Sequence, residues 1–316
     1  MKLVFLDRKT IGEDLDLSKF KEFGEVEMYP FSTPEEVPER VKDADFIIIN
    51  KVPVNEQTIG TAEKLKLVCV TATGINNLDK GYLDSRGIAW RNVAGYSTDS
   101  VAQHTFAMLF YLYENLRYYD SYVKEGNYIG DRMFTHFDKV FCELAGKTWG
   151  IIGLGAIGKR VAEIAECFGC KVQYYSTSGR NHNNKYQEVD FDTLLATSDI
   201  VSIHAPLDEN TLHLMNQDAF SKMKRSAFLI NVGRGPIIVE QDLRDALEQE
   251  QIAGAALDVL DVEPMAENSP FKDLKDSSRL LITPHIAWAS VEARTRLMDI
   301  IYGQVKKFLE SLESEQ

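Results

Sequence analysis

No stretch of this 316-residue chain approaches the roughly 18 consecutive apolar residues that a membrane span needs. The apolar run inside the opening MKLVFLDRKT is also far too short for a secretory leader. Cysteine is scarce, and Cys69, Cys142, Cys167 and Cys170 do not suggest a disulfide framework in a chain of this length. Positive charge is in deficit: 35 Lys and Arg stand against 48 Asp and Glu, a formal net charge of −13. Such a surface repels nucleic acid and acidic lipid, so neither a nucleic-acid nor a membrane partner is expected, and any anionic ligand must be held by local cations or backbone amides. Together these absences predict a cytoplasmic protein. What remains, 44% hydrophobic and 26% charged residues, is an ordinary globular composition with enough chain for two domains.

One cysteine pair matches a redox spacing, CFGC at 167–170. It falls at the end of a helical pattern formed by Val161, Ile164, Ala165 and Phe168, just before Gly169. Redox pairs usually open a helix, where its dipole lowers a thiol pKa, so packing is the expected role here.

Along the chain, short β-branched or aromatic runs alternate with helical patterns. KLVFLD, DFIIIN at 45–50, LVCVTAT at 67–73 and IAWRNV at 88–93 form one set, with helical stretches such as TPEEVPERVKDA between them. A second set comprises TWGIIG at 148–153, KVQYYS, DIVSIHA at 199–205, AFLINV at 227–232, AGAALDV at 253–259 and LLITPH at 280–285. The alternation implies an α/β fold of two doubly wound units with mostly parallel sheets. Residues 98–118 read as one long aromatic-rich helix, and SVEARTRLMDIIYGQVKKFLESL reads as a long amphipathic helix belonging to neither set.

GIIGLGAIGKRVAEIA places Gly153, Gly155 and Gly158 in a G-x-G-x-x-G pattern directly after a strand, with Ala156 and Ile157 opening a helix. The first glycine permits a tight turn, the second lets a pyrophosphate approach the backbone, and the third lets helix and strand pack closely. The helix N-terminus then offers amides and a partial positive charge to phosphates. A ribose-binding acid belongs at the end of the next strand. Ser176 stands there instead, followed by Thr177, Ser178, Gly179 and Arg180. Without the acid, nothing repels a 2′-phosphate, and the hydroxyls with Arg180 could bind one, so NADP is expected to be modestly preferred over NAD. The competing reading makes Arg180 a solvated loop residue.

Three more constellations fall at strand ends, where open α/β sheets bind ligands. INVGRG flanks Arg234 with Gly233 and Gly235, leaving a guanidinium free to fork onto a carboxylate and a carbonyl. ALDVLDVEP supplies Asp258 and Glu263, and LLITPHIAW supplies His285 after Thr283 and Pro284. Singly each has a bland reading as a turn arginine, solvated acids or a structural histidine. Downstream of a dinucleotide fingerprint they form a set that can move a hydride to or from a 2-oxo or 2-hydroxy acid. The histidine would protonate the carbonyl oxygen, and the glutamate would keep it charged.

Taken together, GLGAIG, NVGRG, ALDVLDVEP and PHIAW resemble the D-isomer-specific 2-hydroxyacid dehydrogenase family nearly from end to end. The resemblance implies two Rossmann-like domains with the active site in the cleft and the cofactor domain inserted into a substrate domain built from both termini. The expected spans are 1–97 and 285–316 for the substrate domain and 98–284 for the dinucleotide-binding domain. It implies that Arg234 binds the substrate carboxylate, that His285 is the acid/base with Glu263 as partner, and that Asp258 meets the nicotinamide carboxamide. VTATGINNLD resembles the family's substrate loop, implying carboxylate-binding amides near Thr73 and Gly74. HAPLDENT resembles the segment lining the adenosine side, implying His204, Pro206 and Thr211.

Glu263 separates the chain from formate dehydrogenases, which carry glutamine there, and with the sequence ending at Gln316 the regulatory domain of long phosphoglycerate dehydrogenases is not expected. Trp288, INKVPV at 49–54 and GYSTDSVAQHTFAMLF at 95–110 most resemble the glycerate dehydrogenase, or hydroxypyruvate reductase, branch. Hydroxypyruvate or glyoxylate is the expected substrate, with Trp288 beside it and no metal required. A dinucleotide-sensing corepressor of the same fold is the alternative. It is disfavoured by the acidic surface and the absence of a long low-complexity extension. Finally, Phe106, Phe110, Tyr111, Tyr113, Tyr118 and Tyr119 give residues 98–123 more aromatic surface than one domain readily hides, so a homodimer is expected.

Overall fold

The computed structural model describes residues 1–180, 182–274 and 278–314. The chain divides into two compact units, residues 1–97 with 289–316 and residues 98–288. The second unit therefore runs to Trp288, past the boundary expected after residue 284.

The first unit holds five parallel strands, β1 (Lys2–Phe5), β2 (Glu25–Met28), β3 (Phe46–Ile49), β4 (Leu67–Val70) and β5 (Ala89–Arg91), in the order β2-β1-β3-β4-β5. Every residue of β3 and β4 is buried, as expected for apolar runs in parallel sheets covered on both faces. Three short helices connect them: α1 (Val37–Val41), α2 (Glu56–Ile59) and α3 (Lys80–Ser85). Asn55 and Thr58 close a capping box on α2, and the Asp79 carboxylate accepts the Tyr82 N–H to start α3.

The second unit opens with α4 (Thr98–Tyr113) and α5 (Leu116–Lys124). The single helix expected over 98–118 is thus two, because Asn115 takes a left-handed φ of 53° between them. Seven parallel strands follow: β6 (Thr148–Ile152), β7 (Lys171–Tyr175), β8 (Gln187–Glu188), β9 (Ile200–Ile203), β10 (Phe228–Asn231), β11 (Gly254–Leu257) and β12 (Leu280–Ile282). Their order is β12-β11-β10-β9-β6-β7-β8. The chain winds outward from β6 in one direction, then returns to build the other side from β9, so the topological switch lies between β6 and β9. Between strands run α6 (Ala156–Cys167), α7 (Phe191–Thr197), α8 (Gln217–Lys222) and α9 (Glu240–Glu248).

α10 (Val291–Ser314) belongs to the first unit. Tyr302 meets Phe20 edge-on at 5.8 Å between ring centroids, Phe308 meets Phe46 at 6.1 Å, and Arg294 forks onto the Asp14 carboxylate. The aromatic face of α4 is consumed inside the second unit. Phe106 is buried 4.7 Å from the Trp149 ring and stacks on Phe168, and Tyr113 packs edge-on against Phe228. Phe106 and Tyr113, expected to face a second copy, are core residues.

Candidate active site

All seven strands of the second unit run the same way, so the turns after β6, β7, β9, β10, β11 and β12 share one edge of the sheet. Those turns carry most of the residues singled out in the sequence. At the first, Gly153 has φ 91°, and a Cβ there would come within 2.8 Å of the Ala205 backbone, so the turns after β6 and β9 touch. A Cβ on Gly158 would lie 2.4 Å from the Gly153 carbonyl, which sets the close packing of α6 on the turn. Gly155 differs: nothing lies within 4 Å of its Cβ position. It precedes the twelve-residue α6 with no side-chain cap, so the first amides of that helix face open space. Ala156 is exposed and Ile157 half-buried in that first turn.

Two buried polar atoms beside this turn, Ser176 Oγ and His204 Nδ1, have no hydrogen-bond partner among the described residues. The state of His204 follows from its neighbours. The Trp149 indole, which can only donate, gives its N–H to Ser202 Oγ at 2.8 Å, and Ser202 Oγ lies 2.9 Å from His204 Nε2. Ser202 Oγ, already accepting the indole N–H, thus also holds the imidazole by Nε2 and leaves Nδ1 as the unpartnered ring nitrogen. Burial pushes the His204 pKa down to about 3, so the ring is neutral at physiological pH. Open space at an uncapped helix N-terminus, with a buried ring nitrogen and a buried hydroxyl alongside, fits a dinucleotide. Thr177 is half-buried and Ser178, Gly179 and Arg180 are exposed, in a turn closed by the Gly179 N–H on the Ser176 carbonyl at 3.3 Å. Thr211 is fully buried and its hydroxyl donates to the Pro206 carbonyl at 2.7 Å, so it shapes the 206–211 turn, while Pro206 is exposed.

Arg234 follows β10 and is exposed, one guanidinium nitrogen donating to the Gly233 carbonyl at 2.8 Å. Its flanking glycines are dictated by crowding: a Cβ on Gly235 would sit 1.9 Å from the Leu260 carbonyl group, and one on Gly233 would sit 3.0 Å from the Ala205 carbonyl oxygen. Asn231, which sequence reasoning missed although it opens the same motif, ties this turn. Its amide donates to the Arg234 carbonyl at 2.9 Å and its oxygen accepts the Gly233 N–H at 3.0 Å.

His285 Nδ1 lies 2.7 Å from Glu263 Oε2, and both side chains are about one-third exposed. The other glutamate oxygen accepts the Leu260 N–H at 3.0 Å. Among the described residues nothing bonds Nε2 of His285. Asp258 is 2% exposed and both its oxygens serve the chain itself, accepting from Thr283 Oγ1 at 2.6 Å, the Ile286 N–H at 2.9 Å and the Ala287 N–H at 2.8 Å. It thereby fixes the turn that carries His285. His104, also missed, lies 3.1 Å from Thr283 Oγ1 in the same cluster. Trp288 is half-buried at the end of this unit.

Thr73 and Gly74 follow β4 on the first unit, where the Thr73 hydroxyl donates to the Val93 carbonyl at 2.9 Å and the Asn92 amide donates to the Thr73 carbonyl at 2.7 Å. Of the CFGC cysteines, Cys170 is buried, its thiol pKa pushed up to about 11 by burial, and Cys167 is exposed at the end of α6. All four cysteines are free.

An α/β unit with this glycine turn at its switch point, followed by an arginine and a glutamate-bonded histidine along the same edge, defines a dinucleotide-dependent oxidoreductase. The profile described as D-isomer specific 2-hydroxyacid dehydrogenase, NAD binding domain, matches residues 106–287, and the chain belongs to that family. It is 36% identical to the glycerate dehydrogenase of Methylorubrum extorquens, covering 98% of this chain and 96% of that one. It is likewise 36% identical to the hydroxypyruvate reductase of Blautia hydrogenotrophica, covering 98% and 97%. Among solved structures, an acyclic imino acid reductase in complex with NADPH and D-Arg superposes with a TM-score of 0.85 at 30% identity, covering 98% of each chain.

Proposed function

We propose that the protein reduces small hydrophilic 2-oxo acids, hydroxypyruvate or glyoxylate, to the corresponding D-2-hydroxy acids. The observation that carries this reading is the 2.7 Å contact between His285 and Glu263 on the strand edge that also presents Arg234. A nicotinamide dinucleotide, held at the Gly153–Gly158 turn with Ser176 and His204 alongside, would supply the hydride. Arg234 would hold the substrate carboxylate with its planar fork and orient the carbonyl. His285 would deliver a proton from Nε2 to the carbonyl oxygen, with the Glu263 carboxylate stabilising the imidazolium through Nδ1. Thr73 and Gly74 would offer backbone amides to the carboxylate, and Trp288 would wall the substrate. The relatives named glycerate dehydrogenase and hydroxypyruvate reductase support the substrate class.

NADPH is the modestly preferred cofactor. An acid at position 176 would oppose a 2′-phosphate by about 4 kcal/mol at ~4 Å and an effective dielectric near 20, before screening. Ser176 removes that term, and the exposed Arg180 guanidinium, in no ion pair among the described residues, supports the phosphate reading. NADH remains usable because hydroxyls also bond a plain ribose. The enzyme works as a homodimer in the cytoplasm, a reading supported by four free cysteines and by an exposed apolar segment after α5.

A matrix of 2-oxo acids against NADH and NADPH tests this. The highest kcat/KM is expected with hydroxypyruvate or glyoxylate and NADPH, and Arg180→Ala should narrow the gap between cofactors. Strong NADH preference unchanged by Arg180→Ala would reject the cofactor reading. Cofactor binding without oxidation by any 2-oxo acid would instead favour a dinucleotide-sensing binding protein.

A further inference from the structure

Glu263 meets His285 from an exposed loop. Residues 261–265 are all exposed, and a cavity of about 130 Å³ lies against the loop, lined by Glu240, Leu260, Asp261 and Val262 among others. The loop is therefore not tightly packed on that side. Both oxygens of Glu263 are already engaged, Oε1 with the Leu260 N–H and Oε2 with His285. The first of these bonds lies within the loop, so it shapes the loop without locating it.

Among the described residues, contacts from outside the loop bear directly on its position. One is the close approach of Gly235 to the Leu260 carbonyl group. Another is Glu240, whose Oε1 accepts the Asp261 N–H at 2.8 Å. Glu240 is the first residue of α9, a helix pinned by buried Leu243, Ala246 and Leu247, and Val239 before it donates its N–H to the Met215 carbonyl at 2.9 Å. Its backbone is fixed, and its side chain reaches the residue two positions before Glu263.

We propose that Glu240 is a positioning residue for the acid–base pair, locating the 260–263 loop through the Asp261 N–H so that Glu263 meets His285. This rests on the reading of His285 and Glu263 as that pair. Burial and the neighbouring Asp261 charge push the Glu240 carboxyl up, against the Asp261 N–H bond, which works the other way. A carbonyl oxygen accepts the N–H in either protonation state, so glutamine is the conservative replacement.

The test is the pH profile of kcat/KM for 2-oxo acid reduction in Glu240→Ala, Glu240→Gln, Glu263→Gln and His285→Asn, each checked by thermal melting. Displacing the loop by about 1 Å should cost up to roughly 10²-fold in turnover. Glu240→Ala is expected to lose tenfold or more and to move the alkaline limit in the same direction as Glu263→Gln does, since either change takes the Glu263 carboxylate away from His285. Glu240→Gln should keep the parent profile. If Glu240→Ala does not fold, Glu240→Asp, too short to reach the Asp261 N–H, gives the same readout. Lower activity at every pH with the limit unmoved would mean a merely structural role and overturn the proposal, as would Glu240→Gln being as impaired as Glu240→Ala. Normal turnover in His285→Asn would end the acid–base reading and this proposal with it. A shift in Glu263→Gln with none in Glu240→Ala would end this proposal alone.

Discussion

His285 occupies a left-handed φ of 55°, a conformation that costs a non-glycine residue ~1–3 kcal/mol and persists only where surrounding bonds over-determine it. They do so here: its N–H donates to the Asp258 carbonyl at 2.8 Å, and the Asp258 carboxylate grips the next two amides. Such restraint suits a proton donor, because transfer needs the ring held at one angle to the substrate. Replacing His285 with Asn removes the donor while leaving the cofactor turn untouched, so turnover should fall roughly 10²-fold or more with dinucleotide binding retained. Arg234→Lys should also be severe, since an ammonium cannot reproduce the planar fork. Stopped-flow turnover with parallel cofactor titration checks both, and near-normal turnover in either variant on every active substrate would remove the mechanism.

At the level of elements, glycines separate positions where space is forbidden from positions where it is free. Gly235 lies where a Cβ would collide with the Leu260 carbonyl group, so Gly235→Ala must push the turn after β10 and the 260–263 loop apart, lowering kcat/KM by tenfold or more. Gly303, within α10, has nothing within 4 Å of its Cβ position. Gly303→Ala should therefore stabilise that helix by about 0.5–1 kcal/mol without changing activity, a pair of outcomes readable from chemical denaturation and steady-state assays. The long buried strands were legible because parallel sheets need unbroken apolar runs, as FIII and LVCV show. The edge strands β2 and β8 were not, since EVEM and QE are polar and mostly exposed and take their shape from a neighbour. The helix break at Asn115 was hidden because the aromatic pattern runs straight through it. The site was legible as residue types at strand ends, but not as contacts: nothing in spacing announces that Glu263 bonds His285, that Ser202 links Trp149 to His204, or that Glu240 reaches Asp261.

For the whole molecule, the question is what covers the segment after α5. Of the aromatic surface expected on α4, Phe106 and Tyr113 are core, yet Ile129, Phe134, Phe137 and Val140 are each more than 70% exposed, with Met133 and Phe141 more than half exposed beside them. The segment is not a loose tail. His136 stacks on Tyr122 with 3.8 Å between ring centroids, its Nε2 lies 2.7 Å from the Tyr118 hydroxyl, and the Tyr119 hydroxyl donates to the Lys139 carbonyl. These contacts fold the segment back on α5 and leave its apolar side chains outward, an arrangement that water penalises by ~25 cal/mol per Å² and that a self-complementary two-fold contact would bury. A net charge of −13 per chain opposes association at long range, so the contact must be apolar at its centre and should tighten as salt screens the charges. Light scattering at micromolar concentration should give twice the 35.8 kDa chain mass. Phe134→Asp with Phe137→Asp should return a monomer with unchanged far-ultraviolet circular dichroism, because neither ring contributes to a core. A parent chain already at 35.8 kDa would show that this surface stays open in solution.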